Sequence, residues 1–286
     1  IQCLERFGQR LRDMKAASVR VVGTNTLRRA RRKGAFLDRA RAALGHPIEI
    51  ISGIEEARLV YLGVAHTTPS EPGRRLVVDI GGGSTELIVG EGLRTTKLES
   101  LYMGCVSMST RFFADGEITE KRMKRARLAA RLGLEPVKLS FKAIGWENAV
   151  GSSGRIRTVG EILRARGQND GLITASALEA LIEHTIRVGN LARLKLPGLT
   201  DERTPVFPGG LAILAEILSV FDIQNMRVAE GALREGLLYD MIGRLTDEDA
   251  RVRSVRAMQG RYHVDMAQAE RVDATVLDFL RQTQGD

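Results

Sequence analysis

The sequence contains few cysteines, histidines and aromatic residues, and it contains no long apolar run. The two cysteines, Cys3 and Cys105, exclude a disulfide framework and a four-cysteine zinc site. The four histidines leave little material for a histidine-rich metal site. No uninterrupted apolar stretch approaches the roughly 20 residues of a membrane span, which argues against an integral membrane protein. We therefore expect a protein of a reducing, cytoplasmic compartment.

The composition is that of a globular protein with an excess of positive charge. Hydrophobic residues make up 43% and charged residues 27%. The length of 286 residues predicts two domains, with room for a fragment of a third. Lys and Arg together number 43 and Asp and Glu 35, so the net charge is +8 and the expected partner is an anion. Aromatic residues make up only 5% and do not interleave with the basic runs, so nucleic acid is the least favoured anion.

The first residues have the pattern of a segment from the middle of a longer sequence. The first residue is Ile1, and no charged and apolar leader follows it, so the pattern predicts no signal peptide. Residues 1–11 already have the spacing of an amphipathic helix. We expect from this that a segment preceding Ile1 is missing.

Strand and helix patterns alternate along the chain, which predicts an α/β fold with a helical C-terminal piece. The basic pattern over residues 27–44 predicts one long helix, and residues 95–110 are expected to be extended. The segments RRLVVDI and TELIVG flank the short turn GGGS, which predicts a β-hairpin rather than a strand–loop–helix unit. The Pro- and Gly-rich stretch 67–73 is the first candidate domain boundary.

The strongest motif is a glycine-rich turn flanked by two acids, Asp79 and Glu86. Its glycines allow backbone N–H groups to converge on an anion without obstruction from a Cβ atom. This makes a phosphate loop of Gly81, Gly82, Gly83 and Ser84. Asp79 is placed to hold Mg²⁺, and Glu86, across the turn, could face the same ion. The turn is neither a Walker loop nor a dinucleotide fingerprint, and a plain glycine-rich hairpin is the alternative.

A second motif opens a helix and contains two adjacent acids. Ser52 and Glu55 have the spacing of a capping box, so we expect the Glu55 side chain to fold back on the Ser52 amide. Glu56 is then the acid that is free to point elsewhere. The alternative for Glu56 is an ordinary surface residue in the first turn, where the helix dipole favours acids.

Two further motifs lie where a strand runs into a helix, which is a natural position for an anion. In the first, Thr24 and Asn25 precede Arg28, whose guanidinium could bind a phosphate in a bidentate manner. Ordinary helix capping by Asn25 or Thr26 is the alternative, and the following Arg29, Arg31, Arg32 and Lys33 form either a solvated face or a polyanion track. The second consists of Gly151, Ser152, Ser153 and Gly154, a glycine turn for an anion or a plain loop. The glycines of GALREG, after Glu230, are expected to pack a helix closely on a strand.

Six segments together resemble the exopolyphosphatase/guanosine pentaphosphate phosphatase (Ppx/GppA) family. In chain order they are VVGTNTLRRA, EIISGIEEARLVYLGV, VVDIGGGSTELIVG, YMGCVSMSTRFF, LPGLTDERTPVFPGGLAIL and EGALREGLLYDMI, and the likeness runs from about residue 19 to about residue 265. The resemblance implies the actin-like ATPase fold, with two ribonuclease-H-like domains around a phosphate cleft. It also implies Mg²⁺-dependent removal of a terminal phosphate from polyphosphate or guanosine pentaphosphate.

The resemblance also assigns roles to individual residues. Glu56 is similar to the catalytic base of the family, and Arg28 to a phosphate-contacting arginine. Gly81–Ser84 corresponds to the phosphate loop, Asp79 and Glu86 to the metal-associated acids, and Gly151–Gly154 to a third loop of the cleft. The family opens with a strand and an Asp-Leu-Gly-Ser-Asn-Ser loop, the first phosphate loop, and no such segment occurs in this sequence.

The expected organisation and function follow from this resemblance. Residues 1–66 would be the remainder of the first ribonuclease-H-like domain, residues 67–246 the second, and residues 247–286 the start of a helical domain. We expect an exopolyphosphatase that uses Mg²⁺. The alternatives are a guanosine pentaphosphate phosphohydrolase, an ATPase or sugar-kinase-like protein with an adenosine pocket, and an inactive phosphate-binding fragment. A homodimer is compatible with the sequence, which leaves the oligomeric state open.

Overall fold

The computed structural model describes residues 1–69, 71–167, 172–245, 255, 258–259 and 264–283. The chain divides into two compact units, Ile1–Tyr239 and Asp240–Asp286. The first unit contains a two-stranded and a six-stranded sheet. All residues that the sequence assigns to the phosphate cleft lie in this first unit.

The two-stranded sheet lies near the start of the chain. It pairs β1 (Val21–Gly23) and β2 (Ile48–Ile50) in parallel, and α1 (Gln2–Leu11) precedes it. Two helices, α2 (Asn25–Arg29) and α3 (Gly34–Leu44), connect the strands, so the prediction of one long helix is wrong. Arg32 between them has a φ of 54°, which interrupts the helix, and the buried stripe of α3 begins only after this point.

The next helix, α4 (Gly53–Thr67), packs against one face of the six-stranded sheet. It also packs closely on α10 (Leu233–Leu245), because an added Cβ on Gly236 would lie 1.8 Å from the carbonyl oxygen of Leu59. The glycines after Glu230 therefore bring helix to helix, and the prediction that they pack a helix on a strand is wrong.

The six-stranded sheet has the strand order β5-β4-β3-β6-β8-β7. Strands β3, β4 and β5 form an antiparallel meander, which confirms the predicted hairpin, and β3, β6 and β8 are parallel. The short β7 adds an antiparallel edge. The bounds are β3 Arg75–Ile80, β4 Thr85–Glu91, β5 Arg94–Leu101, β6 Asn148–Ser152, β7 Ile173–Thr174 and β8 Asn225–Val228.

Helices cover the other face of this sheet and form the larger core. The most buried of them is α9 (Phe207–Val220), which packs against α5 (Cys105–Phe112) and α6 (Glu120–Ile144). The remaining helices are α7 (Ser153–Ala165) and α8 (Ala175–Val188). The prediction that residues 95–110 are extended is wrong after Leu101, because α5 buries side chains at helical rather than alternating spacing.

The alternation of side chains along β3 decides which residues face the cleft. Leu76, Val78 and Ile80 point into the larger core, whereas Val77 packs with α4. Because successive side chains of a strand point to opposite faces, Asp79 lies on the same face as Val77. The sheet therefore places Asp79 on the side of α4.

The described part of the second unit contains α11 (Met266–Thr283), in agreement with a helical C-terminal piece. Much of the predicted segment 247–286 lies outside the described residues. The two-stranded sheet falls within 1–66 and the six-stranded sheet within 67–246, and the exact domain boundaries stay a prediction. None of the described helices combines the length and the apolar character that a membrane crossing requires.

Candidate functional site

Four polar side chains form a row across four neighbouring strands. Asp79 on β3 lies directly opposite Glu86 on β4. Ser152 on β6 lies opposite Asp79, and Ser100 on β5 lies opposite Glu86. We call these four residues the acid row. Since residues in register share a face of the sheet, the two carboxylates are neighbours on the side of α4.

Glu86 is the more buried of the two acids, with 1% of its surface exposed. Burial raises the pKa of Glu86 to about 8, and the negative charges of Glu56 and Asp79 act in the same direction. The hydroxyls of Ser100 and Ser84 oppose this rise by hydrogen bonding to the carboxylate. The Ser100 hydroxyl donates to Glu86 Oε1 over 2.8 Å.

Asp79 lies in a similar environment, with 8% of its surface exposed. Burial raises its pKa to about 6 against the effect of the Ser152 hydroxyl, and the charge of Glu56 raises it further. The Arg155 guanidinium acts in the opposite direction. The Ser152 hydroxyl donates to the Gly231 carbonyl over 3.1 Å.

The first turn of α4 carries Glu56 to the acid row. Arg28 of α2 donates through Nη1 to Glu56 Oε2 over 2.8 Å, and the same nitrogen donates to the carbonyl of Ile51 over 2.9 Å. Among the described residues, Glu56 Oε1 has no hydrogen-bond partner, which leaves this oxygen able to accept a proton from water. The predicted base and the predicted phosphate-contacting arginine therefore form an ion pair.

The neighbouring Glu55 takes a different part. Its amide donates to Ser52 Oγ over 3.0 Å, as the cap predicts. Its carboxylate does not return to the Ser52 amide and instead accepts two bonds from Arg58, from Nε over 2.8 Å and from Nη2 over 2.9 Å. The capping-box prediction is therefore wrong in its second half, because a guanidinium one turn on forms a better bidentate partner. Glu55 remains a structural residue that points away from Glu56.

The glycine loop Gly81–Ser84 closes with a bond from the Gly81 amide to the Ser84 carbonyl over 2.9 Å. The start of α5 holds the loop in place, because the amides of Cys105 and Val106 donate to the carbonyls of Gly81 and Gly82. Within the part of the chain that the structure describes, the amides of residues 82–84 donate to no carbonyl. These free donors are what an anion site needs.

Asn25 lies directly against the glycine loop, with an added Cβ on Gly83 only 2.4 Å from its Nδ2. Its side chain is buried, and its Oδ1 has no partner among the described residues. Thr24 is the N-cap position of α2, and its side chain makes no capping bond. The structure thus brings Asn25 to the loop, whereas neither residue caps α2 through its side chain.

The motif Gly151–Gly154 lies at the carboxyl end of β6, beside the end of β3. The chain passes from β6 directly into α7, so the predicted glycine turn is wrong. Ser153, rather than a glycine, takes the left-handed conformation, with a φ of 86°. Such strain in a residue with a Cβ occurs where surrounding structure imposes it, and it is frequent at functional sites.

Two residues of this site were not predicted from the sequence. Ser100 belongs to the site because the strand register places it opposite Glu86. Arg155 lies in the first turn of α7, and its Nε is buried without a partner among the described residues. Arg155 also forms a hydrogen bond with Cys105 that lowers the pKa of that thiol, although burial raises it overall. The only sequence signal for Arg155 was its place directly after the Gly151–Gly154 motif.

The donor set of the acid row suits a hard cation. No group of three or more His, Cys, Asp and Glu side chains within the described ranges is arranged to hold a metal ion by itself. Asp79 and Glu86 nevertheless provide two adjacent carboxylates whose mutual repulsion a cation would relieve. Mg²⁺ is commonly held by one or two carboxylates, with water and substrate phosphates completing its shell. The residues present therefore fit Mg²⁺.

Comparison with known proteins identifies the family of the chain. The profile of the Ppx/GppA phosphatase family matches residues 1–245. The solved Ppx/GppA enzyme of Aquifex aeolicus is 27% identical, has a TM-score of 0.67 and covers 83% of this chain and 80% of its own. An exopolyphosphatase from Cytophaga hutchinsonii is 23% identical, has a TM-score of 0.74 and covers 84% of this chain and 80% of its own.

These likenesses bear on fold and on family separately. The Cytophaga structure is evidence for the fold alone. Together with the Aquifex structure, it shows that the chain has the actin-like ATPase fold expected from the sequence. The family match indicates a hydrolase of the phosphatase type. Because the profile spans most of the 286 residues, the chain belongs to the Ppx/GppA phosphatase family.

Proposed function

We propose that this protein is an exopolyphosphatase that removes the terminal phosphate of inorganic polyphosphate. The observation that carries the proposal is the meeting of three features in one place: the Arg28–Glu56 pair, the two opposed acids and the free amides of the glycine loop. Each feature handles a different part of a phosphoanhydride hydrolysis. The net charge of +8 agrees with a polyanionic substrate.

Mg²⁺ is the cofactor in this proposal, and Asp79 and Glu86 would hold it. When bound, the ion would neutralise charge on the phosphate oxygens and reduce the repulsion within the acid row. Ser100 and Ser152 support the ionised carboxylates from the two flanking strands. The ion would thus compensate the cost of burying two like charges side by side.

Glu56 is the general base of the proposed reaction. Its free Oε1 accepts a proton from a water molecule, whose oxygen attacks the terminal phosphorus in line with the bridging oxygen. The bond from phosphorus to the bridging oxygen breaks, and orthophosphate leaves a chain shortened by one unit. Arg28 holds the Glu56 carboxylate in place through the 2.8 Å bond, which fixes the direction of its second oxygen.

The charge of the terminal phosphate is met mainly by the protein backbone. The amides of residues 82–84, which donate to no carbonyl within the described residues, point donors at the non-bridging oxygens, as preorganised donors do in other hydrolases. Asn25 and the donors of Arg28 other than Nη1 border the same position. The segment Gly151–Gly154 borders it from the neighbouring parallel strand β6.

The proposal is tested by measuring phosphate release from long-chain polyphosphate, with Mg²⁺ and with a chelator. We expect release that requires Mg²⁺ and that Asp79→Asn abolishes, while the thermal unfolding midpoint does not fall below that of the parent. Arg31→Lys, at an exposed position, is the matched surface control. Hydrolysis that proceeds equally with chelator would remove Mg²⁺ from the proposal, and no hydrolysis at all would remove the activity.

The same residues would serve hydrolysis of guanosine pentaphosphate, which is the second candidate function. It is favoured by the Aquifex relative, described as a Ppx/GppA enzyme, since both reactions cleave a terminal phosphoanhydride. Comparing kcat/KM for the two substrates at one Mg²⁺ concentration decides between them. A higher value for the nucleotide would make the protein a guanosine pentaphosphate phosphohydrolase.

A further inference from the structure

Ser100 contacts two parts of the candidate site at once. Its hydroxyl donates to the Glu86 carboxylate over 2.8 Å. Its side chain also lies against the backbone of Gly53, where an added Cβ would come within 2.4 Å of Ser100 Oγ and 2.6 Å of Ser100 Cβ. Gly53 is the first residue of α4, and Glu56 follows three residues later. One small side chain thus lies between the acid row and the helix of the base.

The bond to Glu86 is held by the sheet rather than by a loop. Ser100 and Glu86 are directly opposite in the β4–β5 ladder, so the two strands fix the position of the hydroxyl. The other hydroxyl that interacts with Glu86 belongs to Ser84, at the end of the glycine loop. Because that loop must also receive a phosphate, the strand residue is the constant partner of the carboxylate.

The contact between Ser100 and Gly53 sets the distance between β5 and α4. Close packing in protein interiors leaves little slack, so a larger side chain at either position must push α4 from β5. The position of α4 in turn carries Glu56 and its bond to Arg28. A displacement of about 1 Å at a reacting group can cost roughly 10² in rate, so this spacing matters for the chemistry.

We propose that Ser100 is a positioning residue of the phosphatase site, which orients the Glu86 carboxylate and sets the approach of α4, with Glu56, to the acid row. The inference rests on the proposed function, because it takes Glu86 as a ligand of the cation and Glu56 as the base. Ser100 contacts neither water nor substrate in this scheme. It acts through Glu86 on one side and through Gly53 on the other.

The contact of Ser100 with Glu86 and its contact with Gly53 predict different changes in Mg²⁺ response and kcat. These changes can be distinguished from a general loss of stability. Ser100→Ala removes the hydroxyl and keeps the space, so the Mg²⁺ concentration for half-saturation should rise roughly tenfold, the typical effect of losing one hydrogen bond to a charged group. Gly53→Ala places a methyl group against both Oγ and Cβ of Ser100, so it should move α4 and the hydroxyl together: kcat should fall roughly 10²-fold, and the Mg²⁺ concentration for half-saturation should rise as it does in Ser100→Ala. Ser100→Thr retains the hydroxyl and should keep the parental Mg²⁺ response.

The chain offers a matched control for each change. Gly34 is also the first residue of a helix, and an added Cβ there meets nothing within 4 Å. Ser109 is also a buried serine in a hydrogen bond, accepting from the Gly209 amide over 3.1 Å. Gly34→Ala should behave as the parent, and Ser109→Ala should lower only the thermal unfolding midpoint.

The experiment measures two quantities in the full chain and in each variant. The first is the rise of the thermal unfolding midpoint with Mg²⁺ concentration, which reports binding without turnover. The second is kcat and KM for phosphate release from polyphosphate. The inference is overturned if Ser100→Ala keeps the parental Mg²⁺ response, if Ser100→Thr loses it as Ser100→Ala does, or if Gly53→Ala keeps the parental kcat.

Failure of the proposed function has a different signature, because it is seen in the parent. A parent that binds Mg²⁺ without hydrolysing polyphosphate contradicts the activity, and the Mg²⁺ titrations of Ser100→Ala and Ser100→Thr still decide the role of the hydroxyl. A parent whose unfolding midpoint does not respond to Mg²⁺ overturns the metal assignment and this inference together.

Discussion

Asp79 and Glu86 lie directly opposite each other on neighbouring antiparallel strands, and both are buried. Like charges in this relation destabilise a strand pair, and burial increases the cost. Burial is the main cause of the raised pKa of each acid, to about 6 for Asp79 and about 8 for Glu86, and Glu56 adds to both. The fold therefore holds a local electrostatic strain that a bound cation or a proton relieves.

This relationship predicts how the stability of the metal-free protein depends on pH. The pKa of Glu86 in the folded chain, about 8, is above its ordinary value of 4.5, so folding favours the protonated form. The resulting stability is complete below pH 4.5 and is lost as the pH rises through 8. Chemical unfolding with a chelator present should show a free energy of unfolding that falls between these values, by an amount on the order of a few kcal/mol.

Glu86→Gln is the control for this pH dependence, because it removes the titrating group and keeps the size of the side chain. Its unfolding free energy should vary less between pH 5 and pH 8 than that of the parent. A variant with the same slope as the parent would show that Glu86 does not titrate in this range. Adding Mg²⁺ to the parent should also flatten the slope, because the ion binds the ionised carboxylates.

Arg28 provides a second prediction, which concerns activity. Arg28→Lys keeps the charge but loses the planar fork, so it cannot both hold Glu56 and Ile51 through one end and present further donors. We expect kcat to fall roughly 10²-fold, the usual effect of losing an aligned donor. Arg31→Lys, an exposed neighbour, should have no effect at the same ionic strength. Equal effects of the two changes would mean that these arginines form only a solvated face.

The features predicted correctly from the sequence are those with a local signal. The two strand-like segments RRLVVDI and TELIVG on either side of the GGGS turn predicted the β3–β4 hairpin, which the structure confirms. The same register then placed Asp79 opposite Glu86, as the spacing across the turn had predicted. The roles of the site residues in catalysis stay predictions until they are tested.

The features that were missed depend on contacts between distant parts of the chain. Ser100 reaches Glu86 because β5 pairs with β4, and no local pattern around Ser100 indicates this. Glu55 leaves the predicted capping box because Arg58 offers its carboxylate a bidentate partner. The long basic pattern over residues 27–44 resembles a single helix, yet the backbone turns at Arg32. Helical spacing alone cannot predict such an interruption.

The glycine loop provides a third prediction. An added Cβ on Gly82 would meet only Val106 Cγ2, at 3.4 Å, so Gly82→Ala should fold as the parent does. The methyl group would nevertheless stand beside the free amides of the loop and obstruct a phosphate. We expect KM for polyphosphate to rise at least about tenfold, equivalent to about 1.4 kcal/mol, with the unfolding midpoint unchanged.

Gly34→Ala serves as the control for Gly82→Ala, because its added Cβ has open space around it. It should leave KM at the parental value. If Gly82→Ala also leaves KM unchanged while Asp79→Asn abolishes activity, the phosphate does not approach the loop, and the anion site must lie elsewhere in the cleft.

The last prediction separates the two adjacent acids of α4. Side chains one residue apart on a helix point about 100° apart, so Glu55 and Glu56 cannot both face one water molecule. Glu55 accepts two bonds from Arg58, whereas Glu56 accepts one from Arg28 and keeps Oε1 free among the described residues. We therefore expect Glu56→Gln to lower kcat by roughly 10²–10⁴, the usual contribution of a general base.

The effects of the two substitutions on stability should be the reverse of their effects on activity. In Glu56→Gln the amide oxygen of the new side chain can still accept from Arg28, so the unfolding midpoint should stay close to that of the parent. Glu55→Gln weakens a partly exposed ion pair with Arg58, which costs at most about 1 kcal/mol and leaves most of the activity. Ser52→Ala, which removes the cap of the same turn, should cost about 1 kcal/mol in stability and serves as the structural control. If Glu55→Gln is the inactive variant and Glu56→Gln retains activity, the roles of the two acids must be exchanged, and the ion pair with Arg28 would then serve the fold rather than the reaction.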